Sequence, residues 1–558
     1  MSGGRWTKLR AEAAWPGLAA LTLAAFLLGC SSAPGDGAVP PGASGGASSG
    51  SGGATSLGSG GSPGAPGLEA RAWRLTHEQY RRSVVDLVGV EPDLSNFTPE
   101  TGNGKFQNFS STAFVRVDLA ANYYQVAQDI AEQLTTPELA SLTTCDLVSA
   151  CQSTFIDELG EAAFRAPVPA EVAARLSALF DLAAAEADAE AGYRAVLTAV
   201  LNSPLFLYRK EIGPAEDTTS PELSLTAPQI AEFLSYGLLG GPPPPWLRQK
   251  ANAGGLDAAS LAEVVADLVE DQDFDTQLQT FLSEWLEVAT FQTVEKSDVF
   301  PGFDAVRPLM AQELELFLGQ SGRKDTGLAE LLLDPVPAVS PELDAFYASD
   351  PSAPEQATRL GIIGLGTVLA SHAKSYLTSP TLRGLFIRSR LFCQEITLPQ
   401  NFTPPPLSET EALGIAQTTR ELYERHLSDA SCSNCHRAMD NLGFALEAYD
   451  GAGRVRTLDT TQGASVALDT TAELTDSDVD RALTGAGDLS QALSESTLVK
   501  ECLARQAFRF YFGQVEAAPD LPAILAGSSR LVATDALGEL LAGLFSTDNT
   551  FVRQRGTN

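Results

Sequence analysis

Thr76-His77-Glu78-Gln79-Tyr80, with Val84 and Leu87 following at helical intervals, opens the first folded element of the chain. A threonine with a glutamine three residues on forms a capping box, in which each side chain satisfies a backbone N–H that the first helical turn leaves orphaned. Tyr80, Val84 and Leu87 then line one apolar stripe, as a helix with one buried face requires. The same spacing recurs outward from this point. Residues 117–134 repeat it up to Pro137, 155–164 halt before Pro167, and 171–187 and 193–201 continue it. Ser224-Leu225-Thr226 opens another helix that runs through Leu239, where the Gly/Pro-rich run 240–245 breaks it. Residues 256–268, 274–286 and 308–318 are further amphipathic segments, and the best strand-like alternation is confined to 464–468. The expected fold is mainly α.

At 558 residues the chain is too long for one core, and three to five domains are expected at roughly 100 to 200 residues each. A hydrophobic fraction of 44% supplies ample side chain to bury. The formal net charge of -33, from 70 acidic and 37 basic residues, repels phosphate backbones and anionic headgroups and argues against nucleic-acid binding.

Arg5, Lys8 and Arg10 form a basic start, and an apolar run over 18–28 follows, too short to span a bilayer and right for a secretion signal. It ends in Leu27-Leu28-Gly29-Cys30, which resembles a bacterial lipobox, so Cys30 is the expected lipidation site; a plain signal peptide cleaved nearby is the alternative. Ser31 resembles the residue that sends lipoproteins to the outer membrane. Residues 31–67 are Gly, Ser, Ala and Pro with almost no large apolar side chain, the composition of a flexible tether. The expected organisation is a signal peptide over 1–29, a tether over 30–67, and helical domains over 68–140, 141–212 and 220–350. A motif-bearing domain over 355–457, a small helical domain over 464–530 and a tail over 531–558 complete it.

An exported chain meets an oxidising compartment. Cys145 and Cys151, six apart, and the distant Cys393 and Cys502 are therefore expected to bridge, with buried free thiols as the alternative. Cys432-Ser433-Asn434-Cys435-His436 needs a different account. Two thiols three apart on a helical turn can each add to one vinyl group of haem, and the adjacent imidazole then serves as the proximal iron ligand. Zinc would need a second Cys or His pair at close spacing, whereas only His426 is near. A disulfide between Cys432 and Cys435 is the remaining alternative. The expected cofactor is one haem c, held by Cys432, Cys435 and His436.

The stretch from His426 through Cys432, Cys435, His436, Met439, Asp440 and Phe444, continuing through Glu447, Asp450, Gly453 and Arg456, resembles the haem-motif domain of planctomycete-type, cytochrome-like surface proteins built of tandem domains of unknown function. Leu75-Thr76-His77-Glu78-Gln79-Tyr80 with Asp86-Leu87-Val88-Gly89 resembles the first domain of that family. Phe164-Arg165-Ala166-Pro167 with Ser203-Pro204-Leu205-Phe206-Leu207-Tyr208 resembles the second. Leu225-Thr226, Leu234-Ser235-Tyr236 and Trp285-Leu286 resemble the third, and Thr378-Ser379-Pro380-Thr381-Leu382-Arg383-Gly384 resembles the haem-bearing fourth. Leu489, Leu493, Cys502 and the stretch Phe510 to Gly513 resemble a small last domain. Asn441 replaces the usual Pro after Met439-Asp440, and the prolines of 242–245 replace a usual Pro-Asp turn. The resemblance implies several small helical domains ending in a cytochrome c-like haem domain, export and haem; it implies no reaction.

For the sixth iron position His372 is the favoured candidate, ahead of His426, Met310 and His77, and an iron with no sixth protein ligand is a further option. Met439, three residues after His436, stays on the proximal side. Arg383 and Arg388 are candidates for the haem propionates or for ordinary ion pairs. Phe392, Phe444 and Tyr449 are candidates for the haem wall or for core. The carboxylates of Asp440 and Asp450 suggest a turn, since a calcium loop needs more oxygen ligands. The sequence holds no nucleophile elbow, phosphate-cradling loop or HExxH helix. The leading expectation is an envelope lipoprotein, tethered to a membrane by its N-terminal lipid, that passes electrons to a redox partner. A surface protein that binds glycan or protein, with the haem as a staple, and a haem-dependent oxidoreductase are the alternatives.

Overall fold

The computed structural model describes residues 68–100, 106–147, 151–214, 219–350, 352–353, 359–396, 418–424, 430–460 and 465–555. The expected signal peptide and tether, Cys30 and His426 lie outside these residues. The described part falls in one compact unit, Ser59–Asn558. As the sequence predicts, it is mainly helical and multi-domain.

The capping box of the opening stretch is formed. Thr76 Oγ1 accepts from the Gln79 N–H at 3.2 Å, and Gln79 Oε1 accepts from the Thr76 N–H at 3.1 Å. Helix α1 (His77–Val88) stops at Gly89, which takes φ 70 and donates to the Val85 carbonyl. A positive φ is where glycine costs least. Helices α2 (Val117–Gln133), α3 (Gln152–Phe164), α4 (Ala170–Glu186) and α5 (Ala189–Leu201) follow. Their apolar faces, with Tyr80, Tyr123, Phe155 and Tyr193 at the centre, bury one core. Ring centroids 4.8 to 5.0 Å apart (Tyr80 with Tyr123, Phe97 with Tyr123, Phe155 with Tyr193) pack edge to face, the preferred aromatic geometry.

A second core gathers α6 (Ala227–Leu238), α7 (Leu261–Val269), α8 (Phe274–Trp285) and α9 (Phe303–Ser321). Thr226 and Gln229 repeat the capping box at the start of α6. Helix α9 starts five residues before Pro308, the expected beginning, because Phe303 and Val306 are buried and hold the extra turn. The same core takes in α10 (Gly366–Ser371), α11 (Pro380–Phe386), and, after α12 (Thr419–Glu424) and α13 (Ala430–Phe444), the helices α14 (Thr497–Phe512), α15 (Leu521–Thr534) and α16 (Leu537–Phe545). The 531–558 stretch, expected as a tail, thus carries a helix whose Leu540 and Leu541 are fully buried.

Strands are short and paired in twos, all antiparallel. β1 (Arg71–Arg74) pairs with β2 (Tyr208–Glu211), and β3 (Glu222–Ser224) with β8 (Val552–Gln554). The hairpin-like pairs β4 (Leu458–Asp459) with β5 (Val466–Ala467) and β6 (Ala472–Leu474) with β7 (Arg481–Leu483) both follow the motif-bearing helix in sequence. Among the described residues, no helix is long and apolar enough to cross a membrane.

Candidate haem-attachment site

The Cys432–His436 motif lies on α13. Three and four residues on a helix return to the same face, so Cys432, Cys435 and His436 share one side of α13; the side chains of the two cysteines are outside the described part. Asp440 is one further turn along. Its carboxylate Oδ2 lies 2.9 Å from His436 Nδ1, and because a carboxylate can only accept, the ring must donate there. The Asp440 side chain is 2% exposed and that of His436 21%. The second carboxylate oxygen, Oδ1, accepts from the Thr381 hydroxyl at 2.5 Å. Thr381 belongs to the first turn of α11, whose N-cap Ser379 accepts from the Leu382 N–H.

Two glycines allow α11 and α13 to touch. A Cβ at Gly384 would overlap the Met439 carbonyl oxygen, and one at Gly443 would overlap the Pro380 carbonyl oxygen. From within α13, Asn441 exchanges two bonds with the backbone of Glu473 on β6, donating from Nδ2 and accepting at Oδ1, both at 3.2 Å. A proline side chain at this position offers neither group, so the departure from the family pattern fastens the helix to the β6–β7 pair.

Arg383 is not at a surface. It is 1% exposed and donates to the carbonyls of Leu446 (2.9 Å), Tyr449 (2.7 Å) and Asp450 (2.6 Å), as well as to Glu447. Glu447 also accepts from Thr378 at 2.8 Å and Arg456 at 2.7 Å. Burial pushes the Glu447 carboxyl up, against the pull of Arg456 and Arg383, and lowers the Arg383 guanidinium. These bonds make Arg383 a strut for the loop after α13. Arg388 likewise bonds the carbonyls of Ala438 and Thr475. Asp450 closes a turn by accepting from the Ala452 and Arg454 N–H groups and from Arg454 Nε. Phe444 packs with Leu422 and Tyr423, Tyr449 with Leu369 and Val455, and Phe392 in the second large core. The three aromatic rings therefore occupy three separate clusters.

His372, the expected distal candidate, is buried at the end of α10. Its Nδ1 lies 2.9 Å from the Val368 carbonyl oxygen and its Nε2 3.2 Å from Glu287 Oε2, while its ring packs on Phe386 at 4.2 Å. Burial pushes the Glu287 carboxyl up, but His372 and Arg390 outweigh it and hold it at about 2. Met310 is fully buried among apolar side chains of the second core. His77 sits at the start of α1 beside Phe97, and burial with the nearby Arg74 lowers it to about 4. Cys145 with Cys151, and Cys393 with Cys502, stand at disulfide distance with Cα separations of 5.9 and 5.4 Å, within the usual range. The second pair joins the segment after α11 to α14. Among the described residues, no three His, Cys, Asp or Glu side chains converge as a metal cage.

In the sequence Asp440 suggests only a turn carboxylate. Its four-residue offset from His436 on one helix was the available signal. Thr381 and Glu287 carried none, because each meets its histidine network only through tertiary packing.

The arrangement is that of a helical, multi-domain protein with an imidazole held by a buried carboxylate on a CxxCH-bearing helix. Four models of protein families of unknown function match the chain in tandem: DUF1587 (PSD3) over 73–136, DUF1595 (PSD5) over 151–211, DUF1592 (PSD4) over 225–348 and DUF1588 (PSCyt3) over 359–459. Together these four tandem matches support the likeness to planctomycete cytochrome-like proteins. Neither a curated protein nor a solved structure matched.

Proposed function

We propose that this chain is an exported cell-envelope lipoprotein carrying one haem c, and that it transfers electrons. Cys432 and Cys435 would hold the haem covalently, and His436 would be its proximal ligand. When bound, haem supplies a one-electron iron couple. The chain's own part is to fix the ligand. The observation that carries the reading is the bond from His436 Nδ1 to the buried Asp440 carboxylate. Metal-ligating histidines commonly donate their second ring nitrogen to a carboxylate or carbonyl, which sets the tautomer and holds the ring in place. A histidine with that support, adjacent to two cysteines at haem-attachment spacing, has the donor set that the cofactor requires.

Lipid on Cys30 would anchor the body at the outer membrane, with the 31–67 stretch as tether and a redox protein as partner. The negative charge of the chain fits a partner with a basic docking face and disfavours nucleic acid.

Protein exported from a host competent in cytochrome c maturation is expected to keep a haem absorbance in denaturant. Its mass should exceed the polypeptide mass by one haem, carried on the peptide that holds Cys432 and Cys435. Cys432→Ser with Cys435→Ser should abolish it, and Cys30→Ala should release the body from membranes. A mature, exported parent with a bare polypeptide mass would defeat the haem reading. Haem that attaches but exchanges no electrons with small-molecule donors and acceptors would leave it as a structural staple.

A further inference from the structure

We infer that Asp440 sets the redox poise of the site through His436, with Thr381 moderating it; this rests on the haem reading above. The geometry is a relay of three side chains. The Thr381 hydroxyl donates to Asp440 Oδ1 at 2.5 Å, and Asp440 Oδ2 accepts from His436 Nδ1 at 2.9 Å. The remaining ring nitrogen, Nε2, is the atom that would ligate iron. The carboxylate is enclosed, with its side chain 2% exposed, so water screens its charge little. It is also held rigidly, because Gly384 and Gly443 seat α11 directly against α13 at the level of Met439 and Pro380.

An anionic acceptor at Nδ1 draws the ring proton toward itself and leaves Nε2 a stronger electron donor. A stronger donor, and a fixed negative charge behind it, stabilise ferric iron more than ferrous. A neutral backbone carbonyl in the same place would do so less. Asp440 is therefore a positioning and tuning residue that acts through His436 and makes the site reducing. Thr381 works against it. By sharing the carboxylate's negative charge, its hydroxyl weakens the pull on the histidine proton. Removing Asp440's charge and removing Thr381's hydroxyl must then shift the potential in opposite directions, which a merely structural pair would not do.

The test uses the full chain matured with haem, and reads midpoint potential by spectroelectrochemistry beside a pyridine haemochrome assay. Asp440→Asn keeps the size of the side chain and is expected to reduce the ferric preference about tenfold, a rise of about 59 mV for one electron. Thr381→Val should lower the potential by a smaller amount. Thr381→Ser, which restores the hydroxyl, should return it to the parental value. If Asp440→Asn does not fold, the Thr381 pair alone decides the question, since both variants leave the carboxylate in place. Unchanged potentials in haem-loaded variants, or shifts of the same sign in Asp440→Asn and Thr381→Val, would overturn the inference while leaving the haem assignment standing. A parent without a haemochrome spectrum would defeat the haem reading itself, and the two failures are thereby told apart.

Discussion

His436 and His372 each bond a carboxylate through one ring nitrogen, Asp440 and Glu287 respectively. His372 has oxygen acceptors at both nitrogens, Val368 O and Glu287, so ligating an iron would cost it one of them. Glu287 is in turn tied to Arg390, whose Nε lies 2.6 Å away, and losing the imidazole would leave that buried guanidinium with a less firmly held partner. We expect His372→Ala to leave an attached haem with its spin state unchanged, and to lower stability by about 1.5 to 3 kcal/mol for the lost hydrogen bonds to a charged group. Visible spectra and urea melts of the loaded variant check this. A shift to high spin with carbon monoxide binding would show instead that the ring leaves Glu287 for the iron. The Cys432–His436 motif stands out in the sequence through local spacing alone. The role of His372 does not, since Glu287 is 85 residues away and is brought there by packing.

At the scale of elements, helix starts were the most legible feature. Thr76 with Gln79 and Thr226 with Gln229 announce their helices because capping is a contact between residues three apart. The packing of α11 on α13 was not announced. Gly384 and Gly443 read in isolation as weak points of their helices, and their purpose appears only when the facing carbonyls are known. Two effects compete when a methyl is added at Gly443. Alanine is intrinsically better than glycine in a helix by about 1 kcal/mol. Against that, the new Cβ meets the backbone of Pro380, which cannot rotate away as a side chain would. Overpacking against backbone usually costs about 1 to 3 kcal/mol, so the overlap should win. Gly443→Ala is expected to be destabilising by thermal unfolding and to loosen the Thr381–Asp440 contact. Gly487→Ala, in the helix Ala486–Glu495, is the control: nothing lies within 4 Å of the added Cβ, and the substitution should stabilise that helix slightly. Equal effects at the two positions would contradict the close-contact account.

For the whole molecule, the domain blocks read from breaks in the sequence are joined by burial that no break reveals. Residues of α6 divide between the two large cores: Tyr236 sits in the first, and Phe233 and Leu234 in the second. The last strand, β8, returns to pair with β3, and its Arg553 is fully buried. Arg553 Nε donates to Glu211 on β2 at 2.6 Å, and Arg71 on β1 reaches the same carboxylate at 3.3 Å. Residues some 340 positions apart thus share one buried ion cluster. Burial pushes the Glu211 carboxyl up, yet Arg553, Arg71 and Arg209 outweigh it and hold it at about 2. A carboxyl lowered on folding stabilises the folded state above its unfolded value, and that contribution is lost as pH falls through the folded one. The window here runs from about 4.5 down to about 2. Arg553→Met keeps an unbranched apolar side chain of similar length but removes the guanidinium that lies over the Phe233 ring and is the main partner of Glu211. Breaking one side of a buried pair typically costs about 3 to 5 kcal/mol. The variant should therefore be less stable at pH 7 by roughly that amount. It should also lose less than the parent between pH 4.5 and pH 2, because its Glu211 titrates closer to the ordinary carboxylate range. Denaturant midpoints of parent and variant, measured across that interval, should converge toward the acid end. Curves that stay parallel would mean that Arg553 contributes by packing alone, and that the ends of the chain are not joined through the charge of Glu211.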